Sequence, residues 1–198
     1  MAFKYAIALT GGIASGKSSV TTLLSLFGFR FIDADKIAHE MLDINAQNIA
    51  SSFGEQFVIN GKVNRKALGV EIFASKEKRS KLEQLLHPLI FEEIKRQSII
   101  QDEFKYPYIV DIPLFFETSR YPIEKSLVVY TPKQMQLSRL MTRDKLDEVQ
   151  ALQRIESQMS IEEKRVKATY LIDNSKNLKW LQSECERVKE DILRDFGA

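Results

Sequence analysis

Five short runs of apolar residues recur along the chain and predict the strands of a buried sheet. They cover residues 5–10, 29–33, 106–112, 126–130 and 169–172. Apolar residues fill nearly every position of each run instead of alternating with polar ones, so both faces of each strand should be buried, as in a parallel sheet. The stretches between the runs carry apolar residues three and four apart, which is the spacing of amphipathic helices. The pattern predicts an α/β fold with a parallel sheet of about five strands flanked by helices.

Two helical insertions interrupt this alternation of strands and helices. The first lies between the second and third strands, where predicted helices cover residues 36–42, 46–53, 65–73, 76–86 and 88–100. Pro88 should start the last of these helices, because a proline at a first helical position gives up no helical hydrogen bond. The second insertion, residues 133–167, is helical and charged. A separate helix at residues 17–27 should end before Gly28, the residue type that most often caps a helix C-terminus.

Composition and charge exclude several classes of protein. The 198 residues include 29 basic and 27 acidic side chains, a net charge of +2, and this balance does not fit the concentrated basic face of a nucleic-acid binder. The single cysteine, Cys185, excludes an internal disulfide and a multi-cysteine metal site, and its apolar helical position predicts a buried thiol. No apolar run reaches the ~18 residues of a membrane span. We therefore expect a cytoplasmic protein that binds neither nucleic acid nor membrane.

The most specific local signal follows the first predicted strand. Residues 11–18 read GGIASGKS and match the phosphate-loop pattern G-x-x-x-x-G-K-[ST] in full. Glycines let the backbone approach phosphate oxygens, and the amides of the loop and of the following helix N-terminus then point at the phosphates. Lys17 should reach the β- and γ-phosphates while the Ser18 hydroxyl ligates Mg²⁺. The residues predicted to bind the nucleoside triphosphate are Gly11, Gly12, Ile13, Ala14, Ser15, Gly16, Lys17, Ser18 and Ser19.

Carboxylates follow the second and third predicted strands, at the edge of the sheet where ligands gather in open α/β folds. Asp33 is the best candidate for a general base that takes the proton of an acceptor hydroxyl, with a helix N-cap as the alternative. Asp35 is either that cap or a water-mediated contact to Mg²⁺. Asp111 is either an acidic group of the nucleotide site or a structural acceptor at the strand end.

Motifs of other phosphate-loop proteins are missing from the sequence. It contains neither the N-K-x-D guanine motif nor the D-x-x-G switch of GTPases, and Asp111 is followed by Ile112 and Pro113 instead of the second acidic residue of motor ATPases. Two helical insertions are instead typical of a small-molecule kinase, in which one lobe binds the acceptor and a lid excludes water from the phosphates. A nucleotide-binding regulator remains the alternative from a different class.

The motifs together resemble the dephospho-coenzyme A kinase family, and the resemblance covers essentially the whole chain. In chain order, the matching segments are ALTGGIASGKSSV, FIDADKIAHE, GKVNRKALGVEIF, LLHPLIFEEI, VDIPLFFE, QLSRLMTRD and QRIESQMSIEEKRVKATYLIDN. The sequence departs from the family pattern at two positions. Ala14 stands where glycine is usual, and Thr169 stands where aspartate is common.

The resemblance implies phosphorylation of the ribose 3′-hydroxyl of dephospho-CoA by ATP and Mg²⁺, the last step of coenzyme A synthesis. Another small-molecule kinase, for a nucleoside monophosphate or a sugar, is the closest alternative. Asp33 would be the base, and Lys17 would hold the transferring phosphoryl group. The family's parts would fall at residues 1–34, 104–132 and 168–198 for the nucleotide-binding core, 35–103 for the acceptor-binding insertion and 133–167 for the lid.

Five further residues match family positions outside the loop. Arg139 and Arg143 lie one helical turn apart, so both guanidiniums could reach the same phosphates, Arg139 in a catalytic role and Arg143 in ATP binding. The alternative is a solvated helix face with acidic neighbours such as Asp144 or Asp147. Asn174 resembles a position near adenine, or forms a turn. Arg65 and His87 match positions that bind the acceptor, although His87 could instead be satisfied by backbone ahead of Pro88.

Overall fold

A computed structural model describes residues 2–198. Five strands form one sheet in the order β2-β5-β1-β6-β7, and β3 pairs with β4 in a separate hairpin. Strand β1 runs parallel to β5 and β6, and β6 runs parallel to β7. The predicted five-stranded parallel sheet is confirmed, with each strand close to its predicted position. The strands are β1 Ala6–Gly11, β2 Phe31–Asp33, β3 Val58–Ile59, β4 Lys62–Val63, β5 Tyr108–Asp111, β6 Lys125–Tyr130 and β7 Tyr170–Asp173.

Helices occupy most of the chain between these strands. Helix α1, Lys17–Leu26, ends as expected before a left-handed Gly28 with φ of 94°, and the amide of Phe29 donates back to the Leu24 carbonyl at 3.1 Å. That bond satisfies a carbonyl that the helix end leaves open. The helices are α1 Lys17–Leu26, α2 Ala34–Ile44, α3 Ala46–Phe53, α4 Arg65–Ala74, α5 Lys76–Asp102, α6 Phe115–Thr118, α7 Lys133–Asp144, α8 Glu148–Glu156, α9 Ile161–Lys167 and α10 Leu178–Phe196.

One prediction for the first insertion was wrong, and one element of it was not predicted. Helix α5 continues through Pro88 as one helix of 27 residues, because a proline removes one amide donor while the turns on either side keep theirs. The β3–β4 hairpin was missed, although its turn residues Asn60 and Gly61 have the positive φ angles of 51° and 74° that an Asn-Gly hairpin turn requires. Both errors concern local geometry, and neither changes the order of the main strands.

The chain divides into two compact units. The sheet unit comprises the chain up to Ile32 together with Ser98–Ala198, and the 33–97 unit comprises Asp33–Gln97. In the sheet unit, strands β1, β6 and β7 pack with helices α1 and α10 around one apolar core. The 33–97 unit has its own core, formed by Ala46, Ile49, Phe57, Val63 and Leu68.

Cys185 lies in the core of the sheet unit, as its helical position predicted. Burial raises the pKa of its thiol to about 12, so the reactive thiolate is scarce at neutral pH. No helix within residues 2–198 combines the length and the apolar composition needed to cross a bilayer.

Candidate phosphate-binding site

The segment between β1 and α1 has the curled backbone of a phosphate loop. Ala14 and Gly16 both have positive φ angles, 58° and 88°, and the amide of Ser15 closes a turn on the Gly12 carbonyl at 3.1 Å. Gly16 is the N-cap of α1 and makes no side-chain cap, and the amides of Lys17 and Ser18 have no hydrogen-bond acceptor among the described residues. A helix N-terminus with open amides favours an anion.

Lys17 is held by a carboxylate from the neighbouring strand. Its ammonium lies 2.5 and 2.6 Å from the two carboxylate oxygens of Asp111, the last residue of β5. The Asp111 side chain is only 12% exposed and that of Lys17 is 25% exposed, so the pair is largely shielded from water. The structure therefore places Asp111 at the loop, in contact with its lysine.

The second half of the loop is fixed through the carbonyl of Ser15. The side-chain amide of Asn174 donates to this carbonyl at 2.8 Å, and the Thr131 hydroxyl donates to it at 3.0 Å. Arg139 reaches the same cluster, donating to the Asn174 carbonyl at 3.1 Å and to the Thr131 hydroxyl at 3.3 Å. Arg139 and Asn174 therefore do lie at the loop, where the Asn174 amide supports the backbone.

Arg143 does not converge with Arg139 on one target. Its guanidinium makes two hydrogen bonds to Asp144, at 2.7 and 3.2 Å, and Arg154 binds the same carboxylate at 2.9 Å. The bond from Arg143 keeps the pKa of Asp144 below its ordinary value. In this structure Arg143 therefore pairs with an acidic neighbour on the helix face, as the alternative interpretation supposed. The contact of Arg143 with ATP stays a prediction.

The first half of the loop is held by side chains that the sequence analysis did not select. The amide of Ile13 donates to the side-chain oxygen of Gln158 at 3.1 Å. The Lys164 ammonium donates to the Gly11 carbonyl at 3.0 Å, and the buried Gln136 side chain packs where any side chain on Gly12 would have to go. Lys164 lies on the buried face of α9, three positions after Ile161. A lysine at this apolar-face position was the sequence signal that pointed to it.

A cavity opens beside this half of the loop. It has a volume of about 300 Å³ and is lined by Gly12, by Lys133 and Gln136 of α7, and by residues of the 155–163 segment. That volume is at the lower end of the range for small-molecule sites. The residues of the predicted lid therefore contact the loop at its base but leave space alongside it.

Asp33 serves as a helix cap and still has one oxygen open. It is the last residue of β2 and the N-cap of α2, and its Oδ1 accepts the amide of Lys36 at 2.9 Å. Its other carboxylate oxygen has no hydrogen-bond partner among residues 2–198, and the residue is exposed. Asp35 lies inside the first turn of α2, so the cap is Asp33. Capping and a role as a base are compatible, because each needs one oxygen.

The two predicted acceptor-binding residues lie in the 33–97 unit. Arg65 is the first residue of α4, after the N-cap Asn64; its side chain is exposed and has no hydrogen bond or ion pair among the described residues. His87 is half-buried within α5. It does not precede a helix start as one alternative supposed, because α5 has no break at Pro88.

Comparisons with known proteins show the family to which the chain belongs. The family model for dephospho-CoA kinase, CoaE, matches residues 5–179. A dephospho-CoA kinase of Sulfurimonas denitrificans is 54% identical over 99% of this chain and 98% of its own length. The chain belongs to the dephospho-CoA kinase family. A solved dephospho-CoA kinase from Campylobacter jejuni is 38% identical with a TM-score of 0.73, covering 96% of this chain and 98% of that one.

A second solved structure, TT1252 from Thermus thermophilus, is 28% identical with a TM-score of 0.77, covering 96% of each chain. The fold described here is thus shared by a solved dephospho-CoA kinase and by TT1252. The two departures from the family pattern have a clear structural setting. Ala14 occupies a left-handed position of the loop. Thr169 exchanges two hydrogen bonds with Ser126 where β7 joins β6, at 3.0 and 3.2 Å.

The groups around the loop also suit Mg²⁺. Ser18 is an exposed residue in the first turn of α1, and Asp111 supplies a carboxylate at the end of β5. Residues 2–198 contain no cluster of three or more His, Cys, Asp or Glu side chains that would hold a metal by themselves. Mg²⁺ in kinases takes one or two protein oxygens and completes its shell with phosphates and water, and this donor set fits that mode.

Proposed function

We propose that the protein transfers the γ-phosphoryl group of ATP to the ribose 3′-hydroxyl of dephospho-CoA, giving coenzyme A as the last step of its synthesis. The observation that carries the proposal is a complete phosphate loop, with Lys17 in place, in a chain that matches the dephospho-CoA kinase family over nearly its full length. The substrates are small molecules, and the need for ATP implies action in the cytoplasm.

On the donor side, catalysis rests on positioned positive charge. Loop amides and the N-terminus of α1 receive the phosphates, and Lys17 exchanges its bond with Asp111 for the oxygens of the β- and γ-phosphates. Arg139, already anchored at Thr131 and Asn174, offers a fixed guanidinium to charge that develops during transfer. Arg143 would join the nucleotide after leaving Asp144.

On the acceptor side, Asp33 orients the ribose hydroxyl and takes its proton. The oxygen that does so is Oδ2, since Oδ1 is engaged by the amide of Lys36. A carboxylate hydrogen-bonded to the attacking hydroxyl fulfils this role in kinases. Arg65 and His87 bind the acceptor, and the exposed guanidinium of Arg65 suits the pyrophosphate of dephospho-CoA.

The Ser18 hydroxyl, with Asp111, would hold Mg²⁺ at the phosphates. Bound there, Mg²⁺ would neutralise charge on the β- and γ-phosphate oxygens. The protein groups do the remaining work of binding and orienting the two substrates.

The decisive experiment measures ATP consumption with dephospho-CoA, AMP and a panel of sugars, for the wild type and for Asp33→Asn. Asparagine also caps helices well, so α2 should persist while the base is removed. We expect turnover of dephospho-CoA by the wild type and a loss of about 10²–10⁴ in kcat for the variant, with ATP binding retained. Glu40→Gln is the matched control, because Glu40 is an exposed carboxylate on the same helix and has no role at the cap or at the phosphates.

Two outcomes would replace the proposal. Phosphorylation of AMP or of a sugar, with none of dephospho-CoA, would favour another small-molecule kinase. Slow ATP hydrolysis would favour a nucleotide-binding regulator if neither an added acceptor nor Asp33→Asn changed its rate.

A further inference from the structure

A lysine lies completely buried beneath the phosphate loop. The side chain of Lys164 has 0% exposure, and each of its polar contacts is to a different part of the sheet unit. The ammonium donates to the Gly11 carbonyl at 3.0 Å and to the Pro113 carbonyl at 3.3 Å, and it pairs with Oε1 of Glu117 at 2.8 Å. These three acceptors match the three N–H donors of an ammonium group.

Burial of such a charge needs a reason beyond packing. Removing an ammonium from water is strongly unfavourable unless it is paired and hydrogen-bonded, and apolar residues of similar volume are often as stable or more so. What an apolar side chain cannot do is bind two carbonyls at once. The two carbonyls here belong to Gly11, where β1 enters the loop, and to Pro113, just after β5.

These two strand ends carry the parts of the candidate donor site. Gly11 starts the loop that contains Lys17, and β5 ends at Asp111, the partner of Lys17. Lys164 therefore ties together the two backbone segments that determine where the Lys17 ammonium stands. The Thr10 hydroxyl adds to this link with a 2.7 Å bond to the same Pro113 carbonyl.

The segment before Lys164 is fastened to the same place. Oε1 of Glu117 also accepts the amide of Met159 at 3.1 Å, and Gln158 accepts the amide of Ile13. Among the described residues, Oε2 of Glu117 is buried and has no hydrogen-bond partner. The carboxylate thus depends on Lys164 to balance its charge.

We propose that Lys164 is a positioning residue for phosphoryl transfer. Through the carbonyls of Gly11 and Pro113, its ammonium sets the first half of the phosphate loop against the end of β5. The role rests on the proposed kinase function, because its effect is on how well Lys17 and the loop amides meet the transferring phosphoryl group. Glu117 balances the buried charge and does not itself touch a substrate.

The test uses three variants of the full chain: Lys164→Met, Glu117→Gln and the two combined. Methionine is close to lysine in length and carries no charge. Lys164→Met alone leaves the Glu117 carboxylate buried without its cation, so we expect a clear drop in the unfolding midpoint. The double variant removes that unpaired charge and should regain most of the stability. If Lys164 positions the loop, kcat of the double variant should stay at least about tenfold below that of the wild type, while KM for dephospho-CoA is unchanged.

A readout that needs no acceptor accompanies the kinetics. Amide hydrogen exchange at residues 12–15 should be faster in both Lys164 variants, and ADP should bind more weakly by calorimetry. Lys167→Met is the matched control, because Lys167 is exposed on the same helix and the same substitution there should change none of these quantities.

The outcomes separate the two proposals. Recovery of kcat and of loop protection together with stability in the double variant would show that Lys164 only supports folding, and would overturn the positioning role. If wild-type protein did not phosphorylate dephospho-CoA, the proposed function would fail. Loop exchange and ADP affinity would still decide whether Lys164 positions the loop.

Discussion

Around the phosphate loop, side chains from distant parts of the chain already hold one another in place, whereas two candidate groups of the 33–97 unit, Asp33 and Arg65, have open positions. Lys17, Asn174 and Lys164 each bind a named partner at the loop. In the 33–97 unit, Asp33 keeps one oxygen without a partner among the described residues, and Arg65 is exposed and unbonded there. A donor site of fixed dipoles and charges needs little reorganisation during reaction, which is the arrangement that favours phosphoryl transfer.

This difference predicts which property of the protein a substitution in each region should change. Changes around the loop should alter the chemistry of the donor site while the fold persists. Changes in the core of the 33–97 unit should alter that unit's own stability and, through it, use of the acceptor. Each of the following substitutions tests the difference between the region around the loop and the 33–97 unit.

Among these substitutions, the largest effect is expected for Lys17→Met. Loss of the ammonium removes a charge aimed at the transferring phosphoryl group, so kcat should fall by about 10²–10³. The substitution also removes the ammonium that pairs with the Asp111 carboxylate, which is 12% exposed, and the unfolding midpoint should drop. Lys17→Met with Asp111→Asn should recover the midpoint and not the turnover, as measured by thermal unfolding and a coupled ATP assay. Turnover within about twofold of wild type would contradict the assignment of the loop.

Next in size is Ile49→Ala in the core of the 33–97 unit. Ile49 has 0% exposure, and removing its side chain should cost about 2–5 kcal/mol of unfolding free energy. Because the loop is held by contacts inside the sheet unit, ADP affinity should stay within about threefold of wild type. Turnover of dephospho-CoA should fall. Calorimetry with ADP and steady-state kinetics give the two readouts.

Cys185 supplies the control for that experiment. Its thiol, with a pKa raised by burial to about 12, reacts with a thiol reagent only when the core of the sheet unit opens. Labelling of Cys185 at pH 8 should therefore be as slow in Ile49→Ala as in wild type. Ile59→Ala makes the same substitution at a 56% exposed position and should leave stability almost unchanged. Faster labelling in Ile49→Ala would show that the two units open together.

A smaller effect is expected for Gly16→Ala. Gly16 has φ of 88°, and an added methyl group would meet the side-chain amide of Asn174. The backbone strain and the displaced amide should together cost about 1–3 kcal/mol and weaken ADP binding. Gly61→Ala is a matched control in the 33–97 unit, with φ of 74° and open space around the methyl position. It should show the cost of the backbone angle alone, about 1–2 kcal/mol, with ADP binding unchanged.

Sequence predicted the parts of this structure that depend on local pattern. Nearly continuous apolar runs located all five strands of the main sheet, and the loop motif with its helix followed from adjacent residues. The hairpin turn at Asn60 and Gly61 was equally local and should have been found. The contact of Lys164 with Gly11 joins residues 153 positions apart, and no local pattern contains such a contact.

The side-chain partners of the arginines were equally hard to predict. Arg139 and Arg143 share a helix and a spacing that suits one target, yet Arg139 binds at the loop and Arg143 binds Asp144. Which partner a long side chain takes depends on competing acceptors nearby, and the sequence alone does not rank them.

The smallest effect is expected for Ala14→Gly, which restores the residue usual in the family. Glycine would relieve a left-handed φ of 58°, worth about 1–2 kcal/mol, but it would also give the unfolded chain about 0.4–1 kcal/mol more entropy. It would lose the contact of the Ala14 methyl with the cluster around Leu137 and Leu140. These terms oppose one another, so unfolding free energy by denaturant titration should change by less than about 1 kcal/mol, and ADP affinity should hold. A large loss of stability would mean that the methyl contact outweighs the strain, and that this half of the loop depends on the predicted lid for its fold.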